Sequence, residues 1–328
     1  MTTITSNMTL DEKLLDAARI GDAATIQSVL ASKPAATAKA RDPLGNTALM
    51  LAAANGHPEC VKILLKPCGA RWVNNEGMDA LMVAAQAGHA DCVPALMGCG
   101  LAERVNSRRL GASTALTLAA AHGHSDVLEL LIPASNPDHQ DKEKRTALIL
   151  AARGGHLDCV KQLDLVTDRR KIDEFGHTAF LAAIYEDQPE CVRYLMQHED
   201  LNSYAHYWCT PLMFAIRSWS HKCVPVLRPY SDIGILDFCG QGALMMAADM
   251  GISSPGILEL LLPGSGPEDF EAYRCKEAEA LARRSKHVDV ADRIRDFVTA
   301  RQEKLQLQDT CASSDQELAV PARQQRRL

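Results

Sequence analysis

The chain is 328 residues long, with 47% hydrophobic residues but only 5% aromatic ones, and it carries a formal charge of -6 at pH 7. The acidic balance argues against broad binding to nucleic acid or to an anionic membrane surface, both of which require a basic face. A core so poor in aromatics must be built from Ala, Leu, Val, Met and Cys, which suits close helix packing rather than a β-sandwich.

Residues 1–10 read as an N-terminal tail. From residue 11 the chain repeats itself. A degenerate first copy, KLLDAARIGDAATIQSVL, fits a repeat starting at Glu12. Clear copies start at Thr47 (TALMLAAANGHPECVKIL), Asp79, Thr114 and Thr146, and weaker ones at Thr178, Thr210 and Gly242. From Thr47 onward the starts are 32, 35, 32, 32, 32 and 32 residues apart, by subtraction of those positions. A last degenerate copy, ALARRSKHVDVADRI, fits a start at Glu277. That makes about nine repeats over residues 11–300, with the outermost two as caps. Residues 301–328 lose the pattern, become rich in Gln and Ser, and are expected to form a disordered C-terminal tail.

Each repeat reads as two helices and a turn. Its sixth position is Ala throughout: Ala17, Ala52, Ala84, Ala119, Ala151, Ala183, Ala215, Ala247 and Ala282. Its third position is Leu or Phe from Leu14 to Leu244, which puts one apolar face on the first helix. Glycines at Gly21, Gly56, Gly88, Gly123, Gly155 and Gly251 mark left-handed caps that end that helix. The second helix carries Val61, Leu64, Leu65 and their equivalents. Between repeats, Asp42 to Gly45, Asp173 to Gly176 and Asp237 to Gly240 read as tight turns.

The motif G-x-T-A-L-x-x-A-A-x-x-G-H-x-x-C-V-x-x-L, repeated in register, closely resembles the ankyrin repeat over residues 11 to 296. The resemblance implies an all-α ankyrin-repeat solenoid of about nine helix-turn-helix units. Met often follows TAL, the repeat is often one residue short, and Cys is frequent in the second helix. In these features the chain is similar to the ankyrin-only proteins of diplomonad protozoa known as protein 21.1. Some members of that family carry a kinase domain. Here no glycine-rich phosphate loop, V-A-I-K, H-R-D or D-F-G is present, and "DFCG" at Asp237 is a repeat turn.

His57/Cys60, His89/Cys92 and His156/Cys159 have the i, i+3 spacing of a metal site. However, Val127 and Val290 occupy the same position as these cysteines after His124 and His287, so Cys stands in for a small buried hydrophobe. Cys60, Cys92, Cys159, Cys191 and Cys223 share one repeat position, and stacked helices lie about 8 to 10 Å apart. A disulfide needs Cα atoms within roughly 7 Å, so reduced thiols are expected. The sequence offers no metal or cofactor site and no catalytic motif.

In an ankyrin stack the turn tips and the exposed end of the first helix form the concave face, and the resemblance makes these the contact positions. Aromatics gather there late in the chain. Phe175, Tyr207, Trp208 and Phe238 fall on tips beside His177. Tyr185 and Arg217 fall at the helix end, and Trp219 replaces a capping Gly. Aromatic and Arg side chains dominate interface hot spots, so these eight residues are the expected partner-binding set. Trp208 and Trp219 both stand where Gly is expected at φ > 0, so some distortion is expected around them.

The function expected is a non-catalytic scaffold or adaptor for one or more protein partners, monomeric by itself. The alternative is a regulatory subunit or inhibitor of an enzyme such as a kinase or phosphatase. No segment approaches the ~20 apolar residues that cross a bilayer, and the start lacks the features of a secretory signal. A cytoplasmic location is therefore expected, with cytoskeletal association hinted at by the family resemblance.

Overall fold

The computed structural model describes residues 9–32, 39–68, 72–98, 113–205, 208–252, 255–262 and 268–318. The chain is an all-α ankyrin-repeat solenoid. Among the described residues the only β feature is an isolated bridge between Arg41 and Thr47. Packing divides the chain into two units, Met1–Glu199 and Asp200–Leu328.

Among the described residues the first unit holds six helix pairs: Leu10–Ile20 with Ala23–Ser32, Ala48–Ala54 with Pro58–Cys68, Ala80–Ala87 with Val93–Leu96, Ala115–His122 with Ser125–Leu131, Ala147–Gly154 with Leu157–Asp164, and Ala179–Tyr185 with Pro189–Leu195. The second unit holds three: Pro211–Arg217 with Val224–Leu227, Ala243–Asp249 with Pro255–Leu261, and Glu268–Arg284 with Val288–Leu318. The pairs follow the register read from the sequence. The last pair departs from it, because its first helix begins nine residues before Glu277, at Glu268.

Most first helices start from a side-chain cap. Thr47, Thr114, Thr146, Thr178 and Thr210, with Asp79, accept the backbone N–H three residues on. These bonds satisfy donors that the helix itself cannot pair. Gly242 holds the same position with no side-chain cap. Its φ of -90° suits any residue, and an added Cβ would meet nothing nearer than Arg274 Nη1 at 3.4 Å. Gly242→Ser should therefore raise stability by a few tenths to about 1 kcal/mol, read as a higher denaturation midpoint at unchanged slope.

All nine Ala residues at the sixth position are fully buried, as are the third-position residues from Leu14 to Leu212 to within 3%. The small Ala lets backbones approach, and each buried Leu contributes about 1.5–3 kcal/mol. The second helices bury Cys60, Val61 and Leu64 and their equivalents, while Leu65 is half-exposed. The buried stripe of that helix is thus shifted one residue toward its N-terminus from the i, i+3, i+4 set read from the sequence.

The stretch after Ala300, expected to be disordered, is helical through Leu318. Its residues include Ala, Leu, Gln, Glu and Lys and no Gly or Pro before Pro321. They can therefore continue a helix already nucleated by Val290, Ala291 and Ile294 in the repeat core.

Candidate protein-binding surface

Most of the described tips are built by one acidic or amide side chain; the tip that carries Trp208 has Ala205 in that place. Asp173 Oδ1 accepts the N–H groups of Phe175 at 3.0 Å and His177 at 2.8 Å. The Asp173 N–H donates to the His177 carbonyl at 3.0 Å, and the Gly176 N–H donates to the Asp173 carbonyl at 3.1 Å. Asp42 and Asp237 repeat this pattern, and Asn74 substitutes for the carboxylate. The third residue after each is left-handed: Gly45, Gly77, Gly176 and Gly240, but also Lys144 at φ 58°. Backbone bonds tie neighbouring tips, Asn75 N–H to the Leu44 carbonyl and Glu174 N–H to the Glu143 carbonyl.

The cap between the two helices is just as regular. Gly21, Gly56, Gly88, Gly123, Gly155 and Gly251 all have positive φ, and so do Asp187, Trp219 and Lys286 at the same position. A His of the following repeat packs on each of these glycines except Gly155, which meets Gln188, and four of the histidines are hydrogen-bonded back. His57, His89, His124 and His156 reach the carbonyls of Arg19, Ala54, Gln86 and Ala121 through Nε2 at 3.0–3.1 Å. A carbonyl only accepts, so Nε2 carries the proton. The His therefore ties repeats together, while the Cys three residues on faces the core. Cys60, Cys92, Cys159, Cys191 and Cys223 are buried free thiols. Burial pushes Cys92, Cys159 and Cys191 up to about 11. Such thiols are neither nucleophiles nor metal ligands near neutral pH.

Of the expected contact residues, the first unit brings three together. The His177 ring lies 6.1 Å from Phe175 and 5.4 Å from Tyr185. Phe175 and Tyr185 are 59% and 51% exposed, whereas His177 is buried between them. This row joins a tip to the end of the helix Ala179–Tyr185. In the second unit Trp208 stacks obliquely on Tyr204 at 6.3 Å, and Trp219 on His221 at 5.8 Å. Trp208 and Trp219 are 65% and 51% exposed, and Phe238 projects from its tip. Arg217 hydrogen-bonds the Cys209 thiol, which burial raises and the guanidinium partly lowers. Tyr207 lies outside the described residues.

The expected distortion is absent from the backbone of both tryptophans. Trp208 at φ 58° and Trp219 at φ 60° hold the turn geometry that glycine holds elsewhere. A non-glycine residue there carries about 1–2 kcal/mol of strain.

Tyr204 was not in the expected set. Its hydroxyl donates to the Leu236 carbonyl at 2.7 Å, as Arg41 does to Val73 and Gln140 to Ile172. All three stand six residues before a repeat start. That shared offset was readable in the sequence, but the three side chains differ too much to be matched by type. Tyr204 is thus a tie between tips and a support for the Trp208 ring.

Helix pairs in register, capped and tied in this way, define a repeat-built scaffold that works by recognition. Four overlapping segments, residues 14–109, 99–164, 164–237 and 181–272, match the family described as Ankyrin repeats (3 copies). The protein belongs to that ankyrin-repeat family, whose fold is a non-catalytic scaffold. No curated protein matches the chain. Among the described residues no group of three or more His, Cys, Asp or Glu is placed to hold a metal, and no helix is long and apolar enough to cross a membrane.

Proposed function

We propose that this protein is a scaffold or adaptor that binds other proteins through its turn tips and the exposed ends of its first helices. The observation that carries the reading is the pair of tryptophans in left-handed positions. Each is strained, each is exposed, and glycine would hold the same turn at lower free energy. Strain kept at a solvent-facing aromatic is accounted for when the ring is used in an interface, where Trp is the most enriched anchor. The Met after TAL, the short repeat and the cysteine stripe support kinship with the ankyrin-only protein 21.1 group. That kinship favours a cytoplasmic, cytoskeleton-linked role for a chain that is monomeric alone.

The test exploits the backbone. Trp208→Gly with Trp219→Gly removes both rings and preserves φ > 0, so the fold should be unchanged or more stable. Proteins captured from lysate by the wild type and identified by quantitative mass spectrometry should be lost from the double variant, with affinity for any purified partner falling about 30-fold or more. Equal capture by both proteins refutes the assignment of these residues.

A further inference from the structure

We propose that the ring row of Phe175, His177 and Tyr185 in the first unit docks a basic segment of a partner protein, with an arginine side chain lying against the Phe175 and Tyr185 rings. The inference rests on the protein-binding reading above and gives the partner's chemistry at one of its surfaces.

The argument is charge complementarity around exposed rings. From Asp173 to Val192 the chain carries Asp173, Glu174, Glu186, Asp187 and Glu190 and no Lys or Arg. Three arginines close to it, Arg145, Arg153 and Arg193, are already committed. Arg153 pairs with Glu186 at 2.6 Å, Arg145 with Asp141 at 2.7 Å and with Glu143, and Arg193 with Glu190 at 2.5 Å. Beside the His177 ring Asp173 is 3% exposed, and its Oδ2 accepts no hydrogen bond; His177 Nδ1 stands 3.6 Å away. A buried carboxylate oxygen without a hydrogen bond places negative potential at the middle of the row. Glu174, exposed beside Phe175, adds a second carboxylate and makes no ion pair among the described residues.

Ring faces attract cations through their quadrupole, and arginine is the usual partner because it is planar and weakly hydrated. Its guanidinium can lie against a ring and present its edge to a carboxylate together. The preceding tip carries exposed Lys142 and Lys144, which would repel a uniformly basic chain and attract an acidic residue. Neighbouring repeats are about 10 Å apart, which an extended peptide spans in about three residues. The segment that fits therefore has an arginine and, three residues away, a carboxylate.

The probe is the capped peptide Gly-Arg-Gly-Gly-Glu-Gly, titrated into the full-length isotope-labelled protein and followed by backbone amide NMR shifts. Shifts centred on Phe175, His177 and Tyr185 are expected. Replacing arginine by neutral citrulline should weaken them about fivefold, as should Tyr185→Ala or Glu174→Gln. Citrulline binding as well as arginine would overturn the cationic assignment while leaving the surface as a protein contact. No shift at these amides with either peptide overturns the docking site in the first unit, and the tryptophan test in the second unit stands apart from that outcome.

Discussion

Between pH 9 and pH 11 the protein should lose several kcal/mol of stability, and replacing three cysteines by valine should remove most of that loss. Cys92, Cys159 and Cys191 sit in the core with pKa values pushed from 9.0 up to about 11 by burial, with neighbouring carboxylates adding to the shift. Here the folded state holds its proton more tightly than the unfolded chain. The stabilisation is therefore complete below pH 9 and disappears as pH rises through the folded value. Two units at 1.36 kcal/mol each give about 3 kcal/mol per thiol as an upper figure. Cys159 also raises Cys191, so those two titrate as a linked pair while Cys92 stands apart from them, and the sum over the three is of order 5–8 kcal/mol. Valine fits, because Val127 and Val290 fill the same position with no exposure. Tyr194, raised by its own burial and by the Asp164 carboxylate, pulls in the same direction and remains in both proteins. Denaturant midpoints measured from pH 8 to pH 11 should fall steeply for the wild type and gently for C92V/C159V/C191V. Parallel curves would mean that the buried thiols do not carry the alkaline transition.

The periodic part of this molecule was legible because each repeat poses the same packing problem. An Ala required at the sixth position in every copy can only be a close helix contact, and the nine alanines are fully buried. An Asp three residues before a Gly can satisfy two backbone donors in a tight turn, and it does so at Asp42, Asp173 and Asp237. What escaped was whatever depended on a single neighbour. Tyr204 looks like any exposed aromatic until the Leu236 carbonyl is seen beneath its hydroxyl. Trp219 looks like a disrupted cap until its φ of 60° shows the cap intact. The helical stretch after Ala300 was hidden because composition alone does not reveal an anchored helix to extend. The candidate site was legible as a list of outward positions. That Phe175, His177 and Tyr185 form a row, with the Asp173 carboxylate beside its middle ring, was not legible, because ring distances belong to the fold.

The caps also carry a rule that links one repeat to the next, and Gly88→Ala should expose it by costing about 2–4 kcal/mol. A Cβ at Gly88 would lie 2.5 Å from His124 Nδ1, closer than real side chains come, on a backbone at φ 79°. The left-handed conformation alone costs an L-residue about 1–2 kcal/mol. The ring must also move, which breaks the 3.0 Å bond from His124 Nε2 to the Gln86 carbonyl, about 1 kcal/mol more. Where no ring follows, glycine is kept at Gly155, which meets the Gln188 side chain, but not at Asp187 or Trp219. Trp219 precedes a repeat with Ile252 in the His position, and Lys286 caps the last repeat. Glycine at Gly21, Gly56, Gly88, Gly123 and Gly251 therefore answers two demands, a positive φ and room for His57, His89, His124, His156 and His287. A double-mutant cycle separates them. In His124→Ala the steric part is gone, so Gly88→Ala added to that background should cost only the backbone penalty, and the two changes should be less than additive by about 1 kcal/mol or more. Strict additivity in denaturation midpoints would show that glycine is there for its φ alone and that the imidazole contact contributes nothing to the choice.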